Sequence, residues 1–236
     1  MLEDVVIEPM TESFILWRCL HRGPQSGETI NQWPPDEAAA WEGHRDINLP
    51  LLSKIIRTYG TCAMLARDGH RIVGFLRFYP QVLFSMEGAG QLCLQQAHPA
   101  GPSEDLVSQR FPRLSEIEDK TLMVHCLMTG SPSQEENPYQ RKGIGTRMAR
   151  QLVSWAKENG WKRIEANAYR DIDILYAITG DAGTRFWEKL GFHMVRAEAE
   201  PGFKGELLDT LLGQARAQGL SAEDAVMRYT MQLELA

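Results

Sequence analysis

A nearly continuous apolar run at residues 120–128 is the feature that most constrains how this chain can fold. A strand that faces solvent on one side alternates apolar and polar residues, and this run does not. It is also far shorter than the roughly 20 apolar residues that cross a bilayer as a helix. We therefore predict a strand that is buried on both faces, at the centre of a sheet.

A glycine turn follows this strand and opens a helix. After a polar loop at residues 129–139, residues 140–146 read Gln-Arg-Lys-Gly-Ile-Gly-Thr. Residues 146–159 then place apolar side chains at helical spacing. Because Gly143 and Gly145 lack Cβ atoms, the backbone can turn sharply there and approach a ligand closely.

The start of such a helix suits an anion. Its first amides have no intrahelical acceptor, and they lie at the positive end of the helix dipole. The turn therefore predicts a diphosphate site. It has neither the Gly-x-x-x-x-Gly-Lys-Ser/Thr pattern of a P-loop nor the third glycine of a dinucleotide fingerprint. The alternative is a tight strand-to-helix turn with no ligand.

Periodicity and turn residues predict the other elements. The Asp-Gly pair within residues 67–70 predicts a hairpin turn. The patterns predict helices at residues 37–41 (capped by Asp36), 50–59, 181–190 and 206–218, and strands at residues 61–66, 71–79, 91–96, 163–169, 192–195 and 226–235. Residues 80–119 have the weakest pattern, and we interpret them as an insertion that contains a Pro/Gly-rich loop at residues 98–103.

Charge and cysteine usage exclude several classes of partner. The formal net charge of -6 argues against a general nucleic-acid binder, which normally presents a basic face. The four cysteines are spread along the chain without a Cys-x-x-Cys pair, so we expect no metal site. The first residues lack the pattern of a secretory signal. We therefore expect a cytoplasmic protein with no nucleic-acid or membrane partner.

Two motifs, in this order, resemble the GCN5-related N-acetyltransferase (GNAT) family. The first is Gln140-x-x-Gly143-x-Gly145, where the family carries Arg/Gln-x-x-Gly-x-Gly/Ala. The second, at residues 185–193, is an aromatic pair followed by Glu-Lys-x-Gly-Phe. The resemblance is strong over residues 120–195 and weaker over residues 63–79.

The resemblance implies an α/β (α+β) GNAT fold in a single domain over residues 1–236. Such a fold is a mixed, mostly antiparallel sheet flanked by helices, with splayed central strands. Residues 80–119 are atypical of the family, and the helix at residues 205–218 is an addition to it.

The resemblance also implies acetyl-CoA as the co-substrate. Amides near Leu127 and Met128 are expected to polarise the thioester carbonyl, and the pantetheine arm is expected to pair with this strand where it splays from residues 163–169. The implied cofactor residues are Leu127, Met128 and Thr129 at the strand end, Gln140, Arg141, Lys142, Gly143, Ile144, Gly145 and Thr146 in the turn, and Trp187 in the later helix.

The chain departs from the family at the position of the catalytic acid. Many relatives place a tyrosine where this chain has Trp187, and an indole N–H is a very poor acid. Trp187 either packs against the pantetheine arm or belongs to the core. Tyr176 is our candidate for the acid, and Tyr169 is the alternative.

The chain also lacks the family's general base at its usual position. Histone-type relatives place a glutamate near Leu122. Strand alternation puts Glu118 on the face of Leu122, Val124 and Cys126, and it puts His125 on the opposite face unless a bulge intervenes. We take Glu118 and His125 as candidate bases. Their alternatives are a solvated loop carboxylate and a hydrogen-bonded sheet residue.

The acceptor is set by residues 20–48 and 82–119 in this interpretation. Acidic residues in the second segment favour a small amine or an amino-acid-like acceptor. The predicted partners are acetyl-CoA and an amine acceptor, and a homodimer is an open alternative to a monomer. Two other functions stay open: a transferase that uses another acyl-CoA, and a CoA-binding sensor or interaction module with little catalytic activity.

Overall fold

One mixed sheet organises the chain in the computed structural model, which describes residues 4–17, 25–26, 44–86, 104–130 and 137–235. Its strands are β1 (Val5–Pro9), β2 (Gln25–Ser26), β3 (Ala63–Asp68), β4 (Arg71–Pro80), β5 (Thr121–Thr129), β6 (Arg163–Ala168), β7 (His193–Ala199) and β8 (Met227–Glu234). They lie in the order β1-β3-β4-β5-β6-β8-β7, and β2 pairs with β4. Only β5 and β6 are parallel among the described pairs.

Helices cover the sheet and confirm the predicted fold class. They are α1 (His44–Tyr59), α2 (Glu104–Ser108), α3 (Ile144–Glu158), α4 (Asp173–Thr179), α5 (Thr184–Glu188), α6 (Gly205–Ala217) and α7 (Ala222–Ala225), with 3-10 turns at Gln81–Ser85 and Leu114–Glu116. Helix α3 packs on β1, β3, β4 and β5. None of the described helices is long and apolar enough to cross a membrane.

Strand β5 lies at the centre of the sheet, as its apolar sequence predicts. Leu122, Val124 and Leu127 are each at most 4% exposed. The strand pairs with β4 over residues 122–129, whereas its pairing with β6 ends at Val124 opposite Ala166. Beyond that point β5 and β6 are splayed, so the β6-side edge of residues 126–129 is open to other partners.

A β-bulge at His125 changes the faces of β5. Arg77 pairs with Cys126 and Phe78 pairs with Val124, so His125 has no partner on β4. Cross-strand partners share a face, which places Cys126 with Arg77 and away from Val124. The prediction that Cys126 shares the face of Leu122 and Val124 is therefore wrong.

The predicted segment 181–190 contains one helix boundary that the sequence misplaces. Helix α5 begins only at Thr184, and an unpredicted helix, α4, precedes it. Gly180 ends α4 in the left-handed region, with φ 69°. Residue 183 then makes a parallel bridge with Tyr169. The chain between α4 and α5 is therefore extended and is held beside the end of β6.

Helix α6 belongs to a second, smaller apolar cluster. Its Leu211 and Ala215 are buried together with Ile172 and Leu175, which flank and form the start of α4. Through this cluster, α6 packs against the segment that contains α4. Strands β1 and β2 and helices α2, α4 and α7 were not predicted. The predicted helix after Asp36, the predicted strand at 91–96 and the predicted loop at 98–103 lie outside the described residues.

Candidate functional site

A cavity of about 460 Å³ opens where β5 splays from β6. One wall is the end of β5 with the glycine turn, and the other is the segment from Tyr169 to Phe186. The predicted cofactor residues that line it are Leu127, Thr129, Gln140, Arg141, Gly143, Ile144, Gly145 and Thr146. Met128, Lys142 and Trp187, which were also predicted, are not among its lining residues.

The glycine turn has the backbone that an anion site needs. Arg141 and Gly143 are both left-handed, with φ 57° and 78°. The Arg147 N–H donates to the Gly143 carbonyl at 3.0 Å, so the amides of residues 144–146 precede the first intrahelical bond of α3. A Cβ at Gly143 would meet no atom within 4 Å. The backbone of the turn is therefore open to a ligand on the cavity side.

Asn137 joins the end of β5 to this turn. Its Nδ2 donates to the Thr129 carbonyl at 2.8 Å, and its Oδ1 accepts from the Tyr139 N–H at 3.0 Å. The Tyr139 hydroxyl donates to Asp68 at 2.8 Å. A Cβ at Gly130 would lie 2.0 Å from the Asn137 Oδ1, so only glycine fits beside this amide. Sequence reasoning missed Asn137, which lies in the polar loop.

The Leu127 amide is already hydrogen-bonded. It donates to the Gly180 carbonyl at 3.0 Å. Because β6 has splayed away, this edge amide needs another acceptor, and the left-handed Gly180 supplies one. The expected role of the Leu127 amide, polarisation of a thioester carbonyl, therefore requires that the end of α4 gives up this hydrogen bond.

Tyr176 lies in the cavity wall, as a candidate acid must. Its hydroxyl lies near Thr129, at the end of β5. Burial raises the pKa of Tyr176, and the hydrogen bonds from Thr129 oppose that shift. The hydroxyl thus stays protonated at neutral pH and is held against the end of β5.

Trp187 belongs to the core and not to the cavity. It is 1% exposed, and its ring centroid lies 4.9 Å from those of Phe186 and Phe192. Phe186 lines the cavity in its place. The prediction of Trp187 as a cofactor contact is corrected to its core alternative, because the short helix α5 turns Phe186 to the cavity and Trp187 to the sheet.

Neither candidate base reaches the cavity. Glu118 is exposed and precedes the far end of β5. His125 lies on the bulge, 5.7 Å from the Tyr79 ring, and its Nε2 makes no hydrogen bond within the described residues. Burial and the charge of Arg77 lower the pKa of His125 to about 4, so this imidazole is neutral at pH 7.

Residues 136–192 match the model of the acetyltransferase (GNAT) family. This part of the chain is therefore similar to GNAT acetyltransferases. This match covers the first motif and residues 185–192 of the second, and it contains the glycine turn, α3, α4 and most of the cavity wall. The resemblance is therefore confirmed for this segment.

Several solved acetyltransferase structures are similar to the whole chain at low identity. The IAA acetyltransferase from Bacillus cereus is 12% identical with a TM-score of 0.45, covering 98% of this chain and 99% of that chain. A GNAT family acetyltransferase from Elizabethkingia anophelis with acetyl-CoA bound is 13% identical with a TM-score of 0.45, covering 99% of both chains. Mosquito arylalkylamine N-acetyltransferase like 5b is 15% identical with a TM-score of 0.48, covering 98% and 100%. No curated protein matches the chain.

Asp181 is one of the cavity residues within residues 136–192 that sequence reasoning missed. It directly follows Gly180, and its own amide donates to the Thr179 hydroxyl at 3.0 Å. Part of Asp181 faces the cavity, while the atoms packed around it desolvate the carboxyl. Burial raises the pKa of Asp181 well above its ordinary value, and Glu200 adds to this shift whereas Arg228 opposes it. No sequence pattern marked this residue.

The described residues contain no group of three or more His, Cys, Asp or Glu side chains that could hold a metal ion. The polar groups of the cavity are instead backbone amides at one end and single side chains at the other. Such a site can bind an anionic ligand and position a second reactant beside it.

Proposed function

We propose that this chain is an acetyl-CoA-dependent N-acetyltransferase that acts on the primary amine of a small molecule. The observation that carries the proposal is the open glycine turn at the start of α3, which faces the same cavity as the splayed end of β5. Both lie against the segment that matches the GNAT model. A transferase of this kind needs a diphosphate site and an adjacent reaction chamber, and this cavity joins the two.

The amides of Ile144, Gly145 and Thr146 are suited to hold the diphosphate. They are free of intrahelical partners and lie at the positive end of a helix of 15 residues. Arg141 also lines this end of the cavity. The thioester end of acetyl-CoA would lie along Leu127 and Thr129. Acetyl-CoA supplies the activated acyl group, and the protein supplies its orientation.

The reaction requires only positioning and proton transfer. The amine nitrogen attacks the thioester carbon directly, a C–N bond forms as the C–S bond breaks, and the thiolate needs a proton. Tyr176 is our candidate donor, because it lines the cavity and its raised pKa keeps it protonated. Glu118 and His125 have no part in this step, because neither lines the cavity.

The small amine acceptor is supported by the acidic residues within residues 82–119 of the sequence. The amino-acid-like acceptor, the cytoplasmic location and the homodimer stay predictions from the sequence. One observation favours a second function, a CoA-binding module with little catalysis. The Leu127 amide, which a transferase would use on the thioester, is hydrogen-bonded to Gly180.

Release of free CoA thiol from acetyl-CoA, measured with a panel of primary amines, tests the proposal. We expect amine-dependent release from the wild type and a loss of roughly 10²-fold or more in Tyr176→Phe, the range for removal of a general acid. Succinyl-CoA replaces acetyl-CoA in a parallel series to test the donor. Binding of acetyl-CoA without release for any amine would reject the enzyme and favour the module.

A further inference from the structure

Asp181 occupies the position next to the expected reaction centre. The Gly180 carbonyl accepts the hydrogen bond of the Leu127 amide at 3.0 Å, so Asp181 is the residue immediately after a direct contact with the end of β5. Its side chain lines the same cavity as Leu127 and Tyr176. The backbone therefore holds Asp181 in the wall of the chamber.

The Asp181 carboxylate has no hydrogen-bond or ion-pair partner within the part of the chain that the structure describes. Asp181 is half-buried, and a desolvated carboxylate normally has such a partner, since desolvation is costly. The nearby Arg228 is already engaged, because it pairs with Glu198 and with Glu200 at 3.1 Å. Asp181 is one of the residues that line the cavity, so a ligand there can reach it.

The charges behind Asp181 leave a negative surplus. When Asp181 is ionised, Asp181, Glu198 and Glu200 are three carboxylates near the guanidinium of Arg228, and Tyr169 adds only a hydroxyl that donates to Glu200 at 3.1 Å. Of the other charged residues that line the cavity, Arg170 pairs with Asp224 at 2.8 Å and Asp171 pairs with Arg185 at 3.8 Å, so these pairs leave the balance unchanged. Arg196 approaches Glu198 at 4.0 Å and is exposed. A cation in the cavity would offset this surplus, so the wall is complementary to an ammonium group.

We propose that Asp181 binds the ammonium group of the acceptor and takes its proton. This inference rests on the proposed acetyl transfer and deepens it, since it assigns the acceptor class, a cationic primary amine, and the general base. The two ends of the cavity then bind groups of opposite charge. The helix amides bind the anionic cofactor, and Asp181 binds the cationic acceptor.

Asp181, Tyr176 and solvent account for every proton that moves during acetyl transfer. One N–H proton of the ammonium passes to a carboxylate oxygen of Asp181, and the freed lone pair attacks the thioester carbon. The C–N bond forms, and the C–S electron pair leaves with sulfur. Tyr176 protonates the thiolate and is reprotonated from solvent, which also receives the second N–H proton and later the proton of Asp181.

The test compares Asp181→Asn with wild type across pH 6 to 10, using 1,4-diaminobutane and 2-phenylethylamine as acceptors. At neutral pH we expect the variant to lose about 10²-fold or more in kcat/KM, the range for general-base removal. The loss should shrink towards pH 10, because free amine then arrives without its extra proton. Asp181→Glu should restore part of the activity, and Asp209→Asn, the same change on an exposed carboxylate of α6, should match wild type.

Each alternative outcome has a defined meaning. Wild-type kcat/KM in Asp181→Asn at pH 7 would overturn the assignment, and so would a loss of equal size at every pH, which is the mark of a structural defect. If wild type neither binds nor acetylates any amine, the role of Asp181 is rejected. In that case the melting temperature of wild type is measured with and without acetyl-CoA. A rise with acetyl-CoA supports the cofactor site, and no change rejects the cofactor site as well.

Discussion

Two kinds of residue build the site, and only one kind can be predicted from the sequence. Gly143 and Gly145 act through backbone shape, which a local motif encodes, and the left-handed Gly143 lies where the motif places it. Asp181 acts through a carboxylate whose surroundings come from Glu200 and Arg228, well beyond the motif. A sequence shows that an aspartate is present, but only the packed chain shows that it is desolvated and open to a cavity.

Burial of Asp181 makes a prediction about stability. Its pKa is raised in the folded state by desolvation, whereas an unfolded aspartate titrates near about 3.9. At pH values between the pKa of Asp181 in the unfolded chain and its pKa in the folded chain, the folded chain keeps a proton that the unfolded chain has released. Stability therefore falls as pH rises through this window, and the loss is complete above the folded pKa.

Replacement of Asp181 by asparagine should remove this penalty. We expect Asp181→Asn to be more stable than wild type at pH 7 to 8, with a difference that shrinks towards pH 4, measured by chemical denaturation. Asp209→Asn is the matched control, and its difference from wild type should not follow this pH dependence. A variant that is less stable than wild type at pH 8 would show that the carboxylate is stabilised, in conflict with the raised pKa.

The elements of the site differ in how far local patterns fix them. Strand β5 follows from a nearly continuous apolar run and helix α3 from apolar periodicity, and both lie close to their predicted ranges. Helix α4 does not, because residues 172–178 are apolar at nearly every position and so show neither helical nor strand periodicity. The bulge at His125 leaves no mark in the sequence either, since it depends on the register of β4.

Asn137 ties two of these elements together, which gives a prediction for Asn137→Ala. The change leaves the Thr129 carbonyl and the Tyr139 amide without their partner, at a cost of about 1–3 kcal/mol in unfolding free energy. We also expect weaker acetyl-CoA binding, because the turn is no longer fixed to the end of β5. Thermal unfolding and calorimetric titration measure both effects.

Asn159→Ala is the control for this change. Its amide donates to a backbone carbonyl at 2.8 Å at the other end of α3, away from the cavity. Its acetyl-CoA affinity should equal that of wild type. Equal affinity in Asn137→Ala as well would mean that the turn does not need this tether.

At the scale of the whole molecule, the splay of β5 from β6 creates the site. The sheet places the β5 end, the start of α3 and the α4 segment around one cavity, and the α6 cluster supports the outer wall. The sequence predicted the central strand and the fold class, because a two-sided apolar strand and the family motifs carry that information. It did not predict the acceptor wall, which depends on contacts between distant segments.

The central claim is that the glycine turn binds the diphosphate of acetyl-CoA. Gly143→Asp and Gly143→Asn test it as a pair, because both side chains tolerate the left-handed backbone and differ in charge. A carboxylate beside a diphosphate costs about 4 kcal/mol at 4 Å in a partly screened site. Asparagine adds similar bulk without that repulsion.

Calorimetric titration of acetyl-CoA into wild type and both variants is the most direct measurement. We predict saturable binding to wild type, weaker binding to Gly143→Asn, and a further loss of at least about 100-fold in Gly143→Asp, with all three proteins folded. Absence of binding to wild type, or equal affinity in the aspartate and asparagine variants, would contradict the claim.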